Sequence, residues 1–358
     1  MNWLLVFIPI TIALELLAAD KHLLLFVASA LAILPLAAWM GRATEQLAER
    51  MGEGVGGLLN ATFGNAAELI IAISALRAGF HDVVKASIAG SIVGNILLVL
   101  GAAMLAGGLR RPEQKFNAVA ARSQATMLTL AAIGLILPAA YSAALGQRGT
   151  ESLGALSVTI SVVLLAVYCL FLMFSLMTHS ALFAGSHDAE GTEGTARAPH
   201  WTVGRAAAVL AGATVMIAWM SEILVGAIEP VAQESGLSKA FVGVFVVAIL
   251  GNAAEHATSI TAAMKNRMDL SLSIAIGSSV QVALFVAPVL VLASLFIGPF
   301  PMDLAFPAGL VLIVLLSVLI TGQVAGDGRS DWLKGIQLLA VYLVFGIAYF
   351  FLPDVVPQ

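Results

Sequence analysis

The sequence predicts an all-α polytopic membrane protein, and three observations carry that reading. Mean hydropathy is +0.99, with 60% hydrophobic and only 11% charged residues, where a soluble domain carries about a quarter charged. A window of about 19 residues, the length a helix needs to cross about 30 Å of hydrocarbon, picks out eleven apolar stretches. The pentapeptide Gly-Asn-Ala-Ala-Glu occurs twice, at Gly64 to Glu68 and Gly251 to Glu255, each time inside such a stretch. A charge at bilayer depth costs a few kcal/mol or more, so a carboxylate placed there twice reads as part of an ion path.

In chain order the stretches run Trp3 to Ala19, Leu23 to Met40, Gly57 to Ala78, Val84 to Gly107, Val119 to Ala140, Leu153 to Thr178, Val203 to Ile228, Phe241 to Met264, Leu270 to Ile297, Leu304 to Thr321 and Trp332 to Leu352. Met1-Asn2-Trp3 lacks the basic start of a signal peptide and the first stretch contains Glu15, so it is expected to be a retained helix. Between the second and third stretches, Gly41 to Gly56 sets Glu45, Glu49 and Glu53 against Leu47, Ala48 and Met51, the pattern of a short interfacial amphipathic helix. Residues His179 to His200 form the long polar connection and read as a solvated linker.

Sliding the chain on itself by 187 residues lays Asn65 on Asn252, Glu68 on Glu255, Ile73 on Ile260, Ala75 on Ala262 and Gly90-Ser91 on Gly277-Ser278 without a gap. The third stretch thereby falls on the eighth and the fourth on the ninth, so five-stretch units are duplicated. Five is odd, so successive units must enter the membrane oppositely, the inverted-repeat plan of many secondary transporters. The expected organisation is an extra helix over residues 1–20, a first unit over 21–178, a linker over 179–201 and a second unit over 202–358. On this threading the N-terminal side collects Arg42, Arg50, Arg110, Arg111, Lys115, Arg122, Arg197, Arg205, Lys265, Arg267, Arg329 and Lys334, against Lys21, Arg77, Lys85, Arg148 and Lys239 opposite. That bias puts the N-terminus in the cytoplasm.

Composition also excludes functions. A net charge of -4 with scattered basic residues gives no nucleic-acid surface. The single Cys169 rules out a disulfide framework and reads as a core thiol. No His-Glu-x-x-His sequence is present to support an intramembrane hydrolase, so no enzyme activity is expected.

Asn65 and Glu68 share a helix face, as do Asn252 and Glu255. Together they offer four carboxylate and two amide oxygens, suited to a hard cation, and two negative charges match one divalent ion. The next helices add Ser91 and Asn95 from the fourth stretch, and Ser278, Ser279 and Gln281 from the ninth. Gly90 and Gly94 make a small-residue face for close helix approach. The glycines before Asn65 and Asn252 fit local helix breaks. Protons and metal compete for the same carboxylate oxygens, which under alternating access suffices for antiport. His256 points about 100° away from its neighbour Glu255 along a helix, leaving both a proton-passage and a structural role open. Glu222, beside Ser221, reads as a third deep carboxylate on a proton or ion path, and Glu15 as peripheral.

The run Gly57-Leu-Leu-Asn-Ala-Thr-Phe-Gly-Asn-Ala-Ala-Glu-Leu-Ile, with Gly251-Asn-Ala-Ala-Glu-His and Gly277-Ser-Ser-Val-Gln, resembles the signature repeats of the cation/proton exchanger family, Ca²⁺/H⁺ antiporters of the Ca²⁺/cation antiporter superfamily. The resemblance covers essentially the whole chain. It implies eleven transmembrane helices, Ca²⁺ as transported substrate held by Glu68 and Glu255, and alternating access through sliding gating helices. It also implies supporting roles for Asn65, Asn252, Ser91, Ser278 and Gln281, and proton or ion passage at His256 and Glu222. Sodium/calcium exchangers carry Pro where Ala67 and Ala254 stand here, which favours proton coupling. The expectation is a Ca²⁺/H⁺ antiporter of a prokaryotic inner membrane, with no cofactor and with a homo-oligomer allowed. The alternatives are Na⁺/H⁺ or K⁺/H⁺ exchange, another divalent substrate, and, further off, a passive cation channel.

Overall fold

The computed structural model describes residues 2–51, 56, 59, 62–146, 150–179 and 201–352. Every one of the eleven apolar stretches contains helix. A 3₁₀ turn leads into α1 (Phe7–Leu17), followed by α2 (His22–Met51) and the short α3 (Ala66–Arg77). Next come α4 (His81–Gly108), α5 (Ala118–Leu145) and α6 (Ser152–Thr178). The second part holds α7 (Val203–Ser235), the bent α8 (Lys239–Ala253 and Glu255–Met264), α9 (Met268–Ala293), α10 (Ala308–Ala325) and α11 (Trp332–Phe350). Among the described residues eight helices are long and apolar enough to cross a bilayer, or nine with the bent α8 taken as one span. Helices suit this role because every backbone N–H and C=O is satisfied within the segment.

Two expectations need correction and a third cannot be placed. The amphipathic stretch after Met40 is no separate helix as far as Met51, because α2 runs unbroken to that residue; residues 52–55, with Glu53, lie outside the described residues. Cys169 is exposed on α6, not a core thiol. Its helix is apolar on all sides and only 17% of its apolar window is buried, so most of that surface faces outward. The linker, residues 180–200, lies outside the described residues.

Packing is organised around α4 and α9, whose apolar windows are 83% and 72% buried, while α6 and α11 lie outermost at 17% each. Contacts come in exchanged pairs. Helix α2 packs on α7 and α5 on α10; α4 meets α11 as α9 meets α6; α3 meets α7 as α8 meets α2; and α4 meets α8 as α9 meets α3. Both central helices also widen into a π-helical turn at matching places, Gly94–Val99 and Val282–Val286, a distortion frequent at functional sites.

The connections sort into two faces. On one, Gln114–Lys115 pairs with Arg329–Ser330 in a two-stranded ribbon. There Arg111 donates to Met264 O at 3.2 Å, Gln114 to Ala263 O at 2.8 Å and Arg122 to Gly326 O at 2.6 Å. On the other, the segment between α9 and α10 lies over the end of α3 and the start of α4. Lys85 Nζ, with a side chain only 9% exposed, donates to Asp303 at 2.8 Å and to Ala305 O at 2.9 Å. Gly298, at φ 95°, sits where a Cβ would come within 2.7 Å of Leu76 O, so both its backbone conformation and the close approach require glycine.

Candidate cation site

The duplicated pentapeptides meet between α3 and α8. In the first, the chain turns at Gly64 and Asn65 before α3 starts at Ala66, with Asn65 at φ -99° and ψ 21°. That is the local break expected ahead of Asn65. In the second the helix continues but bends by 69° between its two arms. Contact is close: a Cβ on Gly251 would lie 3.5 Å from the Cβ of Glu68.

Asn65 and Glu68 are each 4% exposed and Asn252 is 2% exposed. The Ser91 hydroxyl donates to Glu68 Oε1, and Asn252 Nδ2 donates to Ser91 Oγ at 3.1 Å. The mirrored bond joins the other half, where Ser278 Oγ donates to Asn65 Oδ1 at 3.0 Å. Asn65 Nδ2 then donates to Gln281 Oε1 at 2.6 Å. Asn95 Nδ2 reaches Ser278 Oγ at 3.2 Å, and His256 Nε2 lies 3.1 Å from Asn95 Oδ1. Ser278 lines the same cavity as Glu255. The structure thus brings together Asn65, Glu68, Ser91, Asn95, Asn252, Glu255, His256, Ser278 and Gln281. Ser279 instead bonds backbone oxygens, at 3.0 Å to Ala275 and 3.4 Å to Ile92.

Glu68 Oε2 and Glu255 Oε2 are buried with no hydrogen-bond partner. Two carboxylates within Coulombic reach in a low-dielectric interior repel unless neutralised. A divalent cation or protons can do that. Among the described residues no three His, Cys, Asp or Glu cluster together, so the donor set is two acids surrounded by neutral oxygens, chemistry that fits a hard cation rather than zinc.

A cavity of about 900 Å³ reaches this set from one side, room for on the order of thirty waters. Glu255, Ser278 and Gln281 line its depth, and Arg42, Glu45, Lys265 and Arg267 line its mouth. Sequence reasoning missed Gln124, Ser273 and Thr258, which also line it; Gln124 Nε2 is 3.5 Å from Ser273 Oγ. The signal available was a lone polar residue in an apolar window, which interhelical hydrogen bonding explains equally well. Glu222 is not buried in the bundle. Its side chain is 57% exposed and pairs with Arg77 at 3.1 Å, because α7 turns Ser221 inward and Glu222 outward.

The family described as sodium/calcium exchanger protein matches residues 21–177 and 205–351. A Ca²⁺/H⁺ antiporter of Aphanothece halophytica is 46% identical, covering 99% of this chain and 97% of that protein. The Ca²⁺/H⁺ antiporter ChaA of Bacillus subtilis is 41% identical over 92% of each. Among solved structures, native YfkE superposes with a TM-score of 0.83 at 37% identity, covering 98% of both chains. The H⁺/Ca²⁺ exchanger CAX, at 15% identity and a TM-score of 0.67, shares the fold. With the family match spanning most of its length on both sides of the linker, this multi-pass integral membrane protein belongs to the sodium/calcium exchanger family.

Proposed function

We propose that the chain is a Ca²⁺/H⁺ antiporter that exports cytoplasmic Ca²⁺ by alternating access. One observation carries the reading: two buried carboxylates, each with an unpartnered oxygen, come from repeated helices into one site beside a cavity lined by Glu255. Relatives named Ca²⁺/H⁺ antiporter at 46% and 45% identity support the choice of substrate and coupling ion. Glu68 and Glu255 hold the cation or the protons. Asn65, Asn252, Ser91, Ser278 and Gln281 supply neutral oxygens or orient the acids. His256 and Asn95 stand beside the site, and Glu222 at the outer end of the path.

Eleven spans are proposed, as an N-terminal helix followed by two inverted five-helix units. The exchanged helix contacts and the two family matches, one per unit, support that division. An N-terminus in the cytoplasm of a bacterial inner membrane places the cavity mouth, with Arg42, Lys265 and Arg267, on the cytoplasmic face. The form described is then inward-facing, with the Lys85–Asp303 side closed. Exchange of two protons per Ca²⁺ would let one pH unit, about 1.4 kcal/mol per proton, sustain a roughly hundredfold Ca²⁺ ratio.

The test is ⁴⁵Ca²⁺ uptake into inside-out vesicles with an acid lumen. Uptake that collapses with the pH gradient supports antiport. Flux that only runs downhill would make the chain a channel, and dissipation of the gradient by Na⁺ or K⁺ alone would make it a monovalent exchanger.

A further inference from the structure

Four hydrogen bonds beside Glu255 form a chain with one direction. Asn95 uses its Nδ2 on Ser278 Oγ at 3.2 Å, so the atom it turns to His256 Nε2, at 3.1 Å, is Oδ1. A carbonyl oxygen only accepts, so His256 Nε2 must carry a hydrogen and donate it. Ser278 then has one hydrogen of its own, and it points to Asn65 Oδ1 at 3.0 Å, in a cavity wall shared with Glu255. Asn65 passes the direction on through Nδ2 to Gln281 Oε1 at 2.6 Å. Every donor runs away from His256.

The equivalent serine behaves differently. Ser91 directs its hydrogen to Glu68 and accepts from Asn252 Nδ2. The position equivalent to Asn95, 187 residues on, is Val282, which has no amide to offer. The two serines match in sequence but direct their hydrogens to different acceptors, Glu68 and Asn65.

We propose, resting on the site reading above, that Asn95 steered by His256 is a positioning residue that keeps the Ser278 hydrogen on Asn65. Ser278 thereby presents its remaining lone pair, rather than a hydrogen, to the cation beside Glu255. His256 acts through the N–H it holds toward Asn95 and carries no proton across. Hydrogen bonds in series polarise one another, so loss of the first link weakens the rest.

The experiment measures Ca²⁺ affinity of the full chain in detergent by titration calorimetry, and the H⁺:Ca²⁺ flux ratio and Ca²⁺ KM against maximal rate in proteoliposomes. Asn95→Val, which copies the other half, raises Kd and KM about tenfold, the effect of one net hydrogen bond, at an unchanged flux ratio. His256→Leu gives the same loss, His256→Gln, which keeps an N–H, recovers most of it, and the double variant Asn95→Val with His256→Leu is no worse than either single one. An unchanged Kd in Asn95→Val overturns the proposal, and so does a His256→Gln variant as impaired as His256→Leu with a lowered flux ratio. If Asn95→Val does not fold, the His256 pair decides alone. Full Ca²⁺ binding in Glu68→Gln or Glu255→Gln would instead sink the underlying site.

Discussion

Glu68 and Glu255 hold equivalent places 187 residues apart, yet their surroundings differ. Glu68 is 4% exposed and walled in by Ser91 and by Asn252 from the opposite half. Glu255 lines a cavity open to the side of Arg42, Lys265 and Arg267. One pentapeptide is entered through a turn at Gly64 and Asn65, the other through a continuous bent helix. Identical chemistry in two conformations is what an alternating-access carrier requires: exchanging the two environments would close the cavity and open the other face without new residues. On the alternating-access reading proposed above, part of the difference between the halves is the access state, beside fixed differences of sequence such as Asn95 opposite Val282.

The largest expected effect tests whether the acids are equal despite that difference. Removing one member of a buried charge set costs about 3–5 kcal/mol, so Glu68→Gln and Glu255→Gln should each lower Ca²⁺ transport by roughly 10²-fold or more. Retained exchange in one but not the other, read as ⁴⁵Ca²⁺ flux, would break the two-acid reading and leave a single-acid site. Lower pH on the cytoplasmic face should raise the apparent KM for Ca²⁺ in the wild type, since protons occupy the same oxygens.

The second test contrasts two equivalent glycines. A Cβ on Gly90 would lie 2.2 Å from Val244 O and 2.5 Å from its Cα, whereas at Gly277 the nearest neighbour is Gln124 Nε2 at 3.9 Å. Backbone cannot move aside as a flexible side chain can, so Gly90→Ala should destabilise by about 3 kcal/mol or fail to assemble, while Gly277→Ala should stay within about 0.5 kcal/mol. Thermal melts in detergent decide, and equal losses would mean that the halves are packed alike at this level.

These glycines also show what could be read in advance. The repeat, the pairing of Asn65 with Glu68 and of Asn252 with Glu255, and the contribution of Ser91 and Ser278 follow from residue type and a fixed offset, while Gln281, opposite Gly94, is legible only from its type and its place in the Gly277-Ser-Ser-Val-Gln run. The offset treats Gly90 and Gly277 as the same residue, because a one-dimensional pattern has no term for which half is closed. Glu222 was read as facing the bundle for a related reason: an apolar window tells how far along the membrane a residue lies, not which side of its helix faces the bundle. Gln124 and Ser273 escaped because they have no repeat partners, falling opposite Val311 and Ala86. The salt bridge of Lys85 with Asp303 joins residues 218 apart, and neither carries a local signal.

Access can be measured directly at a further equivalent pair. Thr258 lines the cavity, and its counterpart Ile71 is 3% exposed. With Cys169→Ser removing the native exposed thiol, Thr258→Cys should react with a membrane-impermeant thiol reagent from the cytoplasmic side at least tenfold faster than Ile71→Cys, as thiol reactivity follows exposure. Conditions that favour the opposite state should reverse the order, with Ile71→Cys labelled from outside. Equal rates at both sites in all conditions would remove the access difference on which the comparison rests.

The smallest effect is expected at the C-terminal end of α3, where Arg77 pairs with Glu222 of α7 at 3.1 Å with side chains 63% and 57% exposed. An exposed pair gains little Coulombic energy and pays side-chain entropy, so its worth is about 0–1 kcal/mol. Glu222→Gln should therefore shift the melting temperature little. Transport separates the remaining roles. If Glu222 only ties the two helices, Arg77→Gln and Glu222→Gln behave alike, because each breaks the same bond. If it attracts ions to the outer mouth, Glu222→Gln slows exchange a few-fold while Arg77→Gln, which frees the carboxylate, does not. The second outcome is the one expected from a carboxylate on the ion path, and a loss in Glu222→Gln as deep as that in Glu68→Gln would move the essential acids outward and overturn the buried pair as the centre of the mechanism.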